Sequence, residues 1–209
     1  MRLVVLVLIA FASAALAKEP IASGKFTIEG GTLSYNTEDM PGDVEGKMED
    51  DDVAEMLDLL RRHQEIVTLR LNSSGGSVWA GKEMARIVLD FELDTEVSGI
   101  CSSACPTVLL GGKKRTLQRG GKIGFHRSNW SPDDIENYYH DERMEEGWDT
   151  PFEYGAWIYA DTQEEVYQDL VYLVSRGVDA HFAIRTKEYF STMWYPTRRE
   201  LTEAGVLRD

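Results

Sequence analysis

Apolar positions in this chain recur with two alternating periods, and the alternation itself predicts the fold class. Lys25-Phe26-Thr27-Ile28 and Thr32-Leu33-Ser34-Tyr35 alternate polar and apolar residues on either side of Gly30-Gly31, which reads as two edge strands. From Asp52 to His63 the residues Val53, Met56, Leu57, Leu59 and Leu60 return at helical spacing, predicting a helix packed along one face. The β-branched run Ile66-Val67-Thr68-Leu69-Arg70-Leu71 predicts a strand ending at Asn72. A second helix follows the small-residue loop from Ser73 to Ser77, with Val78, Ala85, Ile87, Val88 and Phe91 as its face. Thr95 to Ile100 reads as the next strand, Pro106 to Leu110 as a helix stopped by Gly111-Gly112, and Lys122 to Phe125 as a short strand. Strand and helix in alternation with short connections imply parallel pairing through right-handed crossovers, hence an α/β domain. Sites in such sheets gather at the carboxyl ends of the strands. Ser74, Ser103 and His126 all fall at such ends.

Beyond His126 the periodicity fades. The stretch from Arg127 to Thr150 is polar, acidic and interrupted by Pro132 and Gly147, long for a plain connection, and reads as a lid or an assembly element. Its rings Trp130, Tyr138, Tyr139 and Trp148 give it something to bury, on the site or on its own helix. Helical spacing resumes from Glu164 to Val174 through Val166, Tyr167, Leu170 and Val171. Asp179 is placed to cap a further helix, and Thr197 with Glu200 forms a capping box whose helix ends at Gly205.

The first residues have the three parts of a secretory leader: Arg2, an apolar run from Leu3 to Ala12, and the small-x-small site Ala15-Leu16-Ala17. The run is short for a bilayer span and no basic stop-transfer cluster follows, so cleavage after Ala17 is expected, with an uncleaved anchor as the alternative. Residues 18–209 then form a single domain that is exported, periplasmic or secreted, without stable membrane insertion. The formal charge of −14 becomes −15 on losing Arg2. Such a surface repels phosphate backbones and anionic headgroups, so nucleic acid is not an expected partner. The acid concentrates between Glu38 and Asp52 and between Asp133 and Glu146, which reads first as solvated surface.

The chain has two cysteines, Cys101 and Cys105. In an exported protein two thiols usually pair, and a bridge here would brace the turn carrying Ser103; a catalytic thiol is the rival reading. No other soft ligand lies near them, so no metal site is expected. Gly75-Gly76 after a strand can bring backbone N–H groups close to a bound carbonyl. Ser103 lies at a strand-to-helix turn among small residues, where its hydroxyl can be presented beside the Ala104 N–H; the bland reading is an N-cap serine. His126 can accept the Ser103 proton or serve structurally. Together the three blocks supply oxyanion donors, a nucleophile and a base, the minimum for acyl transfer.

Their order and spacing resemble the Clp protease proteolytic subunit and its relatives in the ClpP/crotonase superfamily, including the signal-peptide peptidases. Asn72-Ser73-Ser74-Gly75-Gly76-Ser77-Val78, with Gly81 following, looks like the family's oxyanion loop. Ile100-Cys101-Ser102-Ser103-Ala104-Cys105, with Leu109 through Gly112 closing the helix, looks like its nucleophile turn, and Gly124-Phe125-His126 like its base. The Cys-x-Ser-Ala-Cys pattern, with Gly112 to Thr116 nearby, is closer to exported Clp-like proteins than to the cytoplasmic protease. The similarity covers about residues 30 to 127 well and the rest loosely.

The resemblance implies a ClpP/crotonase-like repeated β/β/α spiral with a mostly parallel sheet, and often a ring or stacked homo-oligomer. It implies Ser103 as nucleophile, His126 as general base, and the N–H groups of Gly75 or Gly76 with Ala104 as oxyanion donors. The family's aspartate falls near Tyr189, where Glu188 is the only acidic neighbour, which leaves a dyad, a displaced carboxylate or an inactive descendant. Signal-peptide peptidases use a lysine base, a role open to Lys113 or Lys114, but His126 already occupies the base position. The expected function is an ATP-independent serine endopeptidase-like hydrolase acting on peptides or proteins, with no cofactor. A catalytically inactive binding or scaffold protein is the alternative, and acyl-CoA chemistry is opposed by the acidic surface.

Overall fold

The computed structural model describes residues 21–40, 46–188 and 191–209; the expected leader over residues 1–17 and the position of Tyr189 lie outside them. The chain enters through three strands, β1 (Ile21–Ser23), β2 (Phe26–Glu29) and β3 (Thr32–Asn36), paired antiparallel in sequence. Helix α1 (Asp51–Arg62) then crosses to β4 (Thr68–Ser73), which runs parallel to β3 with Leu33 opposite Leu69 and Tyr35 opposite Leu71. Helix α2 (Val78–Asp90) crosses to β5 (Asp94–Ser102), parallel to β4. Helix α3 (Cys105–Gly111) leads to β6 (Arg115–Leu117) and then β7 (Lys122–Gly124), which pair parallel with the first and last thirds of β5 respectively. The mixed α/β architecture with a mostly parallel sheet is the one the alternating periods predict.

Alternate residues of the strands fill the core. Leu33, Tyr35, Leu69, Leu71 and Val97 are buried beneath Met56, Leu60, Met84, Val88 and Leu109 of the helices. The predicted apolar face of α2 is accurate at Ala85, Ile87 and Val88 but not at its ends: Val78 and Phe91 are exposed. Val78 is the first residue of the helix and Phe91 the residue after its last.

One irregularity aims the end of β5. The β4–β5 register passes from Leu71 opposite Val97 to Ser73 opposite Cys101, so β5 carries two extra residues there. Asn72 fills the gap, its Oδ1 accepting the Ile100 N–H at 2.9 Å while its amide donates to Asn36 at 3.1 Å. A bulge of this kind bends the strand and re-aims the segment after it, here the Ser103 turn.

The stretch after His126 is helical, which the fading periodicity did not predict. Helix α4 (Pro132–Glu146) begins with a Ser131–Asp134 capping box and ends at Gly147; α5 (Pro151–Ser175) begins with a Thr150–Glu153 capping box. Both boxes, each with Pro at the next position, were readable as start signals. The expected helix from Glu164 to Val174 is the second half of α5. Tyr139, Trp148 and Tyr154 are buried together, with Tyr138 and Trp157 stacked on them, so the rings form a separate apolar cluster. Two short helices close the chain: α6 (Ala180–Arg185), capped by Asp179, and α7 (Arg198–Glu203), with its Thr197–Glu200 box. No helix among the described residues is long and apolar enough to cross a membrane.

A buried polar knot joins the entering strands to α1. Asp52 Oδ2 accepts from the Tyr35 hydroxyl at 2.6 Å, the Lys25 ammonium at 3.1 Å and the Glu49 N–H at 2.8 Å. Lys25 also donates to Glu49 and to the Lys47 carbonyl. Burial and then the Asp52 carboxylate push the Tyr35 hydroxyl far above the usual tyrosine range. Removing the shared acceptor leaves the buried Tyr35 hydroxyl without its partner and Lys25 with one of its two carboxylates, so Asp52→Ala should lower unfolding free energy by about 2 kcal/mol, with Asp52→Asn milder. Urea denaturation checks this, and a midpoint equal to wild type would show that the knot contributes nothing.

Candidate active site

The site is assembled where β4, β5 and β7 end. Ser73, the last residue of β4, is buried and accepts from Thr37 Oγ1 at 2.9 Å and from the Gly75 N–H at 3.2 Å. Gly75 has φ +100° and Gly76 φ +148°, values that side chains rarely permit. A Cβ on Gly75 would lie 2.6 Å from the Ser102 carbonyl, 2.7 Å from Ser103 Cβ and 2.9 Å from the Ala104 nitrogen. Only a glycine lets this loop rest against the Ser103 turn. Gly76 is gripped from the other side, its neighbours bonding to Met48 through Met48 N–H to Gly75 carbonyl and Ser77 N–H to Met48 carbonyl, both 2.8 Å. Ser77 then caps α2 by accepting the Ala80 N–H.

Ser103 follows β5 with φ +59°, in the left-handed region, where a residue with a side chain is strained. Its own N–H donates to the Gly124 carbonyl at 3.2 Å, tying the turn to β7. Cys101 and Cys105 are joined by a disulfide across it, with Cα atoms 5.2 Å apart and both residues fully buried. The expected bridge is therefore present, and neither thiol is free.

His126 directly follows the β7 segment. Phe125 before it exchanges both backbone hydrogen bonds with Trp194 (2.8 and 2.9 Å) and meets Phe182 edge-to-face at 5.6 Å, which fixes the direction in which the next residue leaves. The imidazole Nε2 lies 2.7 Å from Ser103 Oγ. These two residues, 23 apart in sequence, are in hydrogen-bond contact. They open on a cleft of about 50 Å³, with Val78, Pro106, Leu110 and Leu173 as apolar wall and Thr107, Ser128, Asp169, Thr186 and Lys187 as polar wall. The exposed position of Val78 is explained by this cleft.

The candidate oxyanion donors separate on hydrogen bonding. Gly75 spends its N–H on Ser73 Oγ, whereas no bond among the described residues uses the N–H of Gly76 or of Ala104. The pair left available is Gly76 with Ala104.

The electrostatic setting of His126 departs from expectation. Burial first, and then the neighbouring Lys187 ammonium, hold its pKa below the usual histidine value. The ring is therefore neutral, and a competent base, at neutral pH and somewhat below it. Lys187 is paired with Asp169 at 2.8 Å, and Lys82 approaches the other Asp169 oxygen at 3.9 Å. No carboxylate among the described residues bonds the His126 ring. Glu188, the acidic neighbour singled out in sequence, is exposed and is not part of the cleft. The residues that reach the cleft from that segment are Thr186 and Lys187, which sequence reasoning missed because neither is an acid. Lys113 and Lys114 lie at the opposite ends of the strands, where Lys113 faces Glu92 at 3.6 Å and the Lys114 N–H donates to Asp94, so neither is a base for Ser103. Among the described residues no group of three His, Cys, Asp or Glu side chains converges.

No protein-family model matches the chain, and no curated protein matches it. Solved structures do: 401 chains are similar, among them a ClpP1 mutant from Listeria monocytogenes. That match has a TM-score of 0.53 at 17% identity and covers 77% of this chain and 84% of the other. At that identity the likeness shows the fold, which is ClpP-like.

Replacing Lys187 by Met removes one of the two causes that depress the His126 pKa and frees Asp169, so the pKa should rise toward the ordinary value. An NMR titration of the imidazole reads this directly, and a value that stays put or falls would exclude Lys187 as a cause. Alkylation should modify neither cysteine before reduction and both after it. Because the bridged loop is short, its loss should cost only about 2 kcal/mol of global stability while loosening the Ser103 turn. Equal protease sensitivity of that turn in both states would contradict the bracing role.

Proposed function

We propose that this protein is an exported serine endopeptidase-like hydrolase that cleaves peptide bonds through an acyl-enzyme. The observation that carries the reading is the 2.7 Å contact between Ser103 Oγ and a neutral His126 Nε2, formed in a left-handed turn beside two unspent N–H groups. In this mechanism His126 takes the Ser103 proton as Oγ attacks the scissile carbonyl. The Gly76 and Ala104 amides hold the oxyanion, and His126 returns the proton to the leaving amine. Water, deprotonated by the same imidazole, then releases the acyl group. The apolar wall of Val78, Pro106, Leu110 and Leu173 receives the substrate side chain next to the bond. No nucleotide is required, so substrates are unfolded, short or exposed peptides.

Export rests on the leader of residues 1–17, and the mature form would begin at Lys18 as a single domain. A homo-oligomer accords with the ClpP-like fold and with the exposed Phe152, Tyr159 and Tyr167 along α5. That no carboxylate among the described residues bonds His126 favours a second reading, a binding or scaffold protein that keeps the fold without turnover.

A fluorophosphonate probe separates the two. The hydrolase reading expects covalent labelling of Ser103 in native protein, abolished in Ser103→Ala, together with a fall of roughly a thousandfold or more in peptide hydrolysis. Native protein that neither labels nor cleaves an unfolded casein-type substrate, with folding intact by circular dichroism, would leave the scaffold reading in its place.

A further inference from the structure

The Gly75–Gly76 peptide unit can offer a bound carbonyl its N–H or, turned over, its own C=O. Neither glycine has a Cβ to resist the turn, so the freedom that admits their positive φ values also leaves the orientation unfixed by local sterics. An oxyanion donor needs it fixed. Ser73 Oγ takes the Gly75 N–H and so holds the preceding peptide unit, not this one. Met48 holds this one. Its N–H donates to the Gly75 carbonyl and its carbonyl accepts the Ser77 N–H, both at 2.8 Å, which makes Met48 and Gly76 a parallel bridge pair. In such a pair the residue between the two bonded neighbours turns its own N–H and C=O away from the partner segment. The peptide bond is trans, so with the Gly75 carbonyl on Met48 the Gly76 N–H points the opposite way.

Met48 lies outside every helix and strand named above; its side chain is buried in the core, and its backbone is held through its neighbours. Lys25, 8% exposed, leaves the β1–β2 turn, and its ammonium donates to the Lys47 carbonyl at 2.7 Å and to the Glu49 carboxylate, the residues on either side of Met48. Its third bond, to Asp52 at 3.1 Å, ties the same ammonium to the start of α1, where Asp52 also accepts the Glu49 N–H. We infer that Lys25 is the positioning residue for the oxyanion peptide: by gripping residues 47 and 49 it holds Met48 on the Gly75 carbonyl, and so keeps the Gly76 N–H turned outward as a donor. This deepens the hydrolase reading and rests on it for its catalytic meaning. Lys25 acts through one backbone step and does not itself line the cleft.

Two substitutions test the inference. Lys25→Met keeps the length of the buried chain and removes its three bonds, whereas Glu49→Ala, at an exposed side chain, removes one grip and leaves the core untouched. Hydrogen exchange of the Met48 and Ser77 amides reads the clamp, and fluorophosphonate labelling at Ser103 reads its consequence. In Lys25→Met those two amides should exchange about tenfold faster, beyond any change at the fully buried Leu71 of β4, whose amide reports global opening. Labelling should slow about tenfold, with peptide hydrolysis losing kcat and keeping KM. Glu49→Ala should move both readouts the same way by a smaller factor. A role in stability alone would quicken Leu71 equally and leave labelling of the folded protein unchanged, and that outcome would overturn the inference. Should Lys25→Met fail to fold, wild-type exchange and labelling in Glu49→Ala would overturn it instead. A wild-type protein that never labels, yet loses Met48 and Ser77 protection in Lys25→Met, would sink the hydrolase reading while leaving the clamp standing.

Discussion

The proposed site depends on one strained residue, Ser103, held at positive φ between the end of β5 and the start of α3. A side chain in that region costs on the order of 1–3 kcal/mol and persists only where its surroundings over-determine it. Three constraints do so here. The Gly124 carbonyl takes the Ser103 N–H, the disulfide ties the residues on either side, and Gly75 packs against the turn where a Cβ would collide. The strained backbone presents the hydroxyl to His126 and leaves the Ala104 N–H unspent. Relaxing the turn would lose both together.

The surroundings of the base are cationic where an acid was expected. Lys187 and Asp169 form a charge pair on the cleft wall, drawn from the segment after α6 and from α5, and Lys82 of α2 approaches Asp169 from outside the cleft. Asp169 neutralises its neighbours rather than the imidazole. The result is a histidine kept uncharged by burial and by a nearby ammonium, a setting that favours proton acceptance at neutral pH and disfavours the cation formed afterwards. Under the proposed reading, a pair of this kind would be a weaker catalyst than a charge-stabilised triad.

Elsewhere the fold relies on polar as well as apolar burial. The Asp52 knot binds the β1–β2 turn, β3 and α1, while the α4–α5 hairpin carries its own aromatic cluster apart from the main core. That separation explains why α4 is acidic and polar around nearly its whole circumference: the hairpin needs only a few rings to close. The acidic surface of this region is solvated, and Arg143 lies over the Tyr139 ring at 5.6 Å.

Local pattern alone determined the alternation of strands and helices, the parallel sheet, the carboxyl-end placement of Ser103 and His126, the cysteine pairing, and the caps at Asp179 and Thr197. These come from periodicity, glycine punctuation and the chemistry of short segments, all of which act between residues close in sequence. α4 was missed because its start is marked by a capping box and not by an apolar stripe. Tertiary structure alone decided which glycine N–H is left for an oxyanion, since that turns on whether Ser73 Oγ consumes it. It also decided that Glu188 faces solvent while Thr186 and Lys187 line the cleft, and that Asp169 from α5 pairs with Lys187. Which side of a chain turns inward at an irregular helix end, and which distant charges meet there, are set by packing between elements that sequence spacing does not encode.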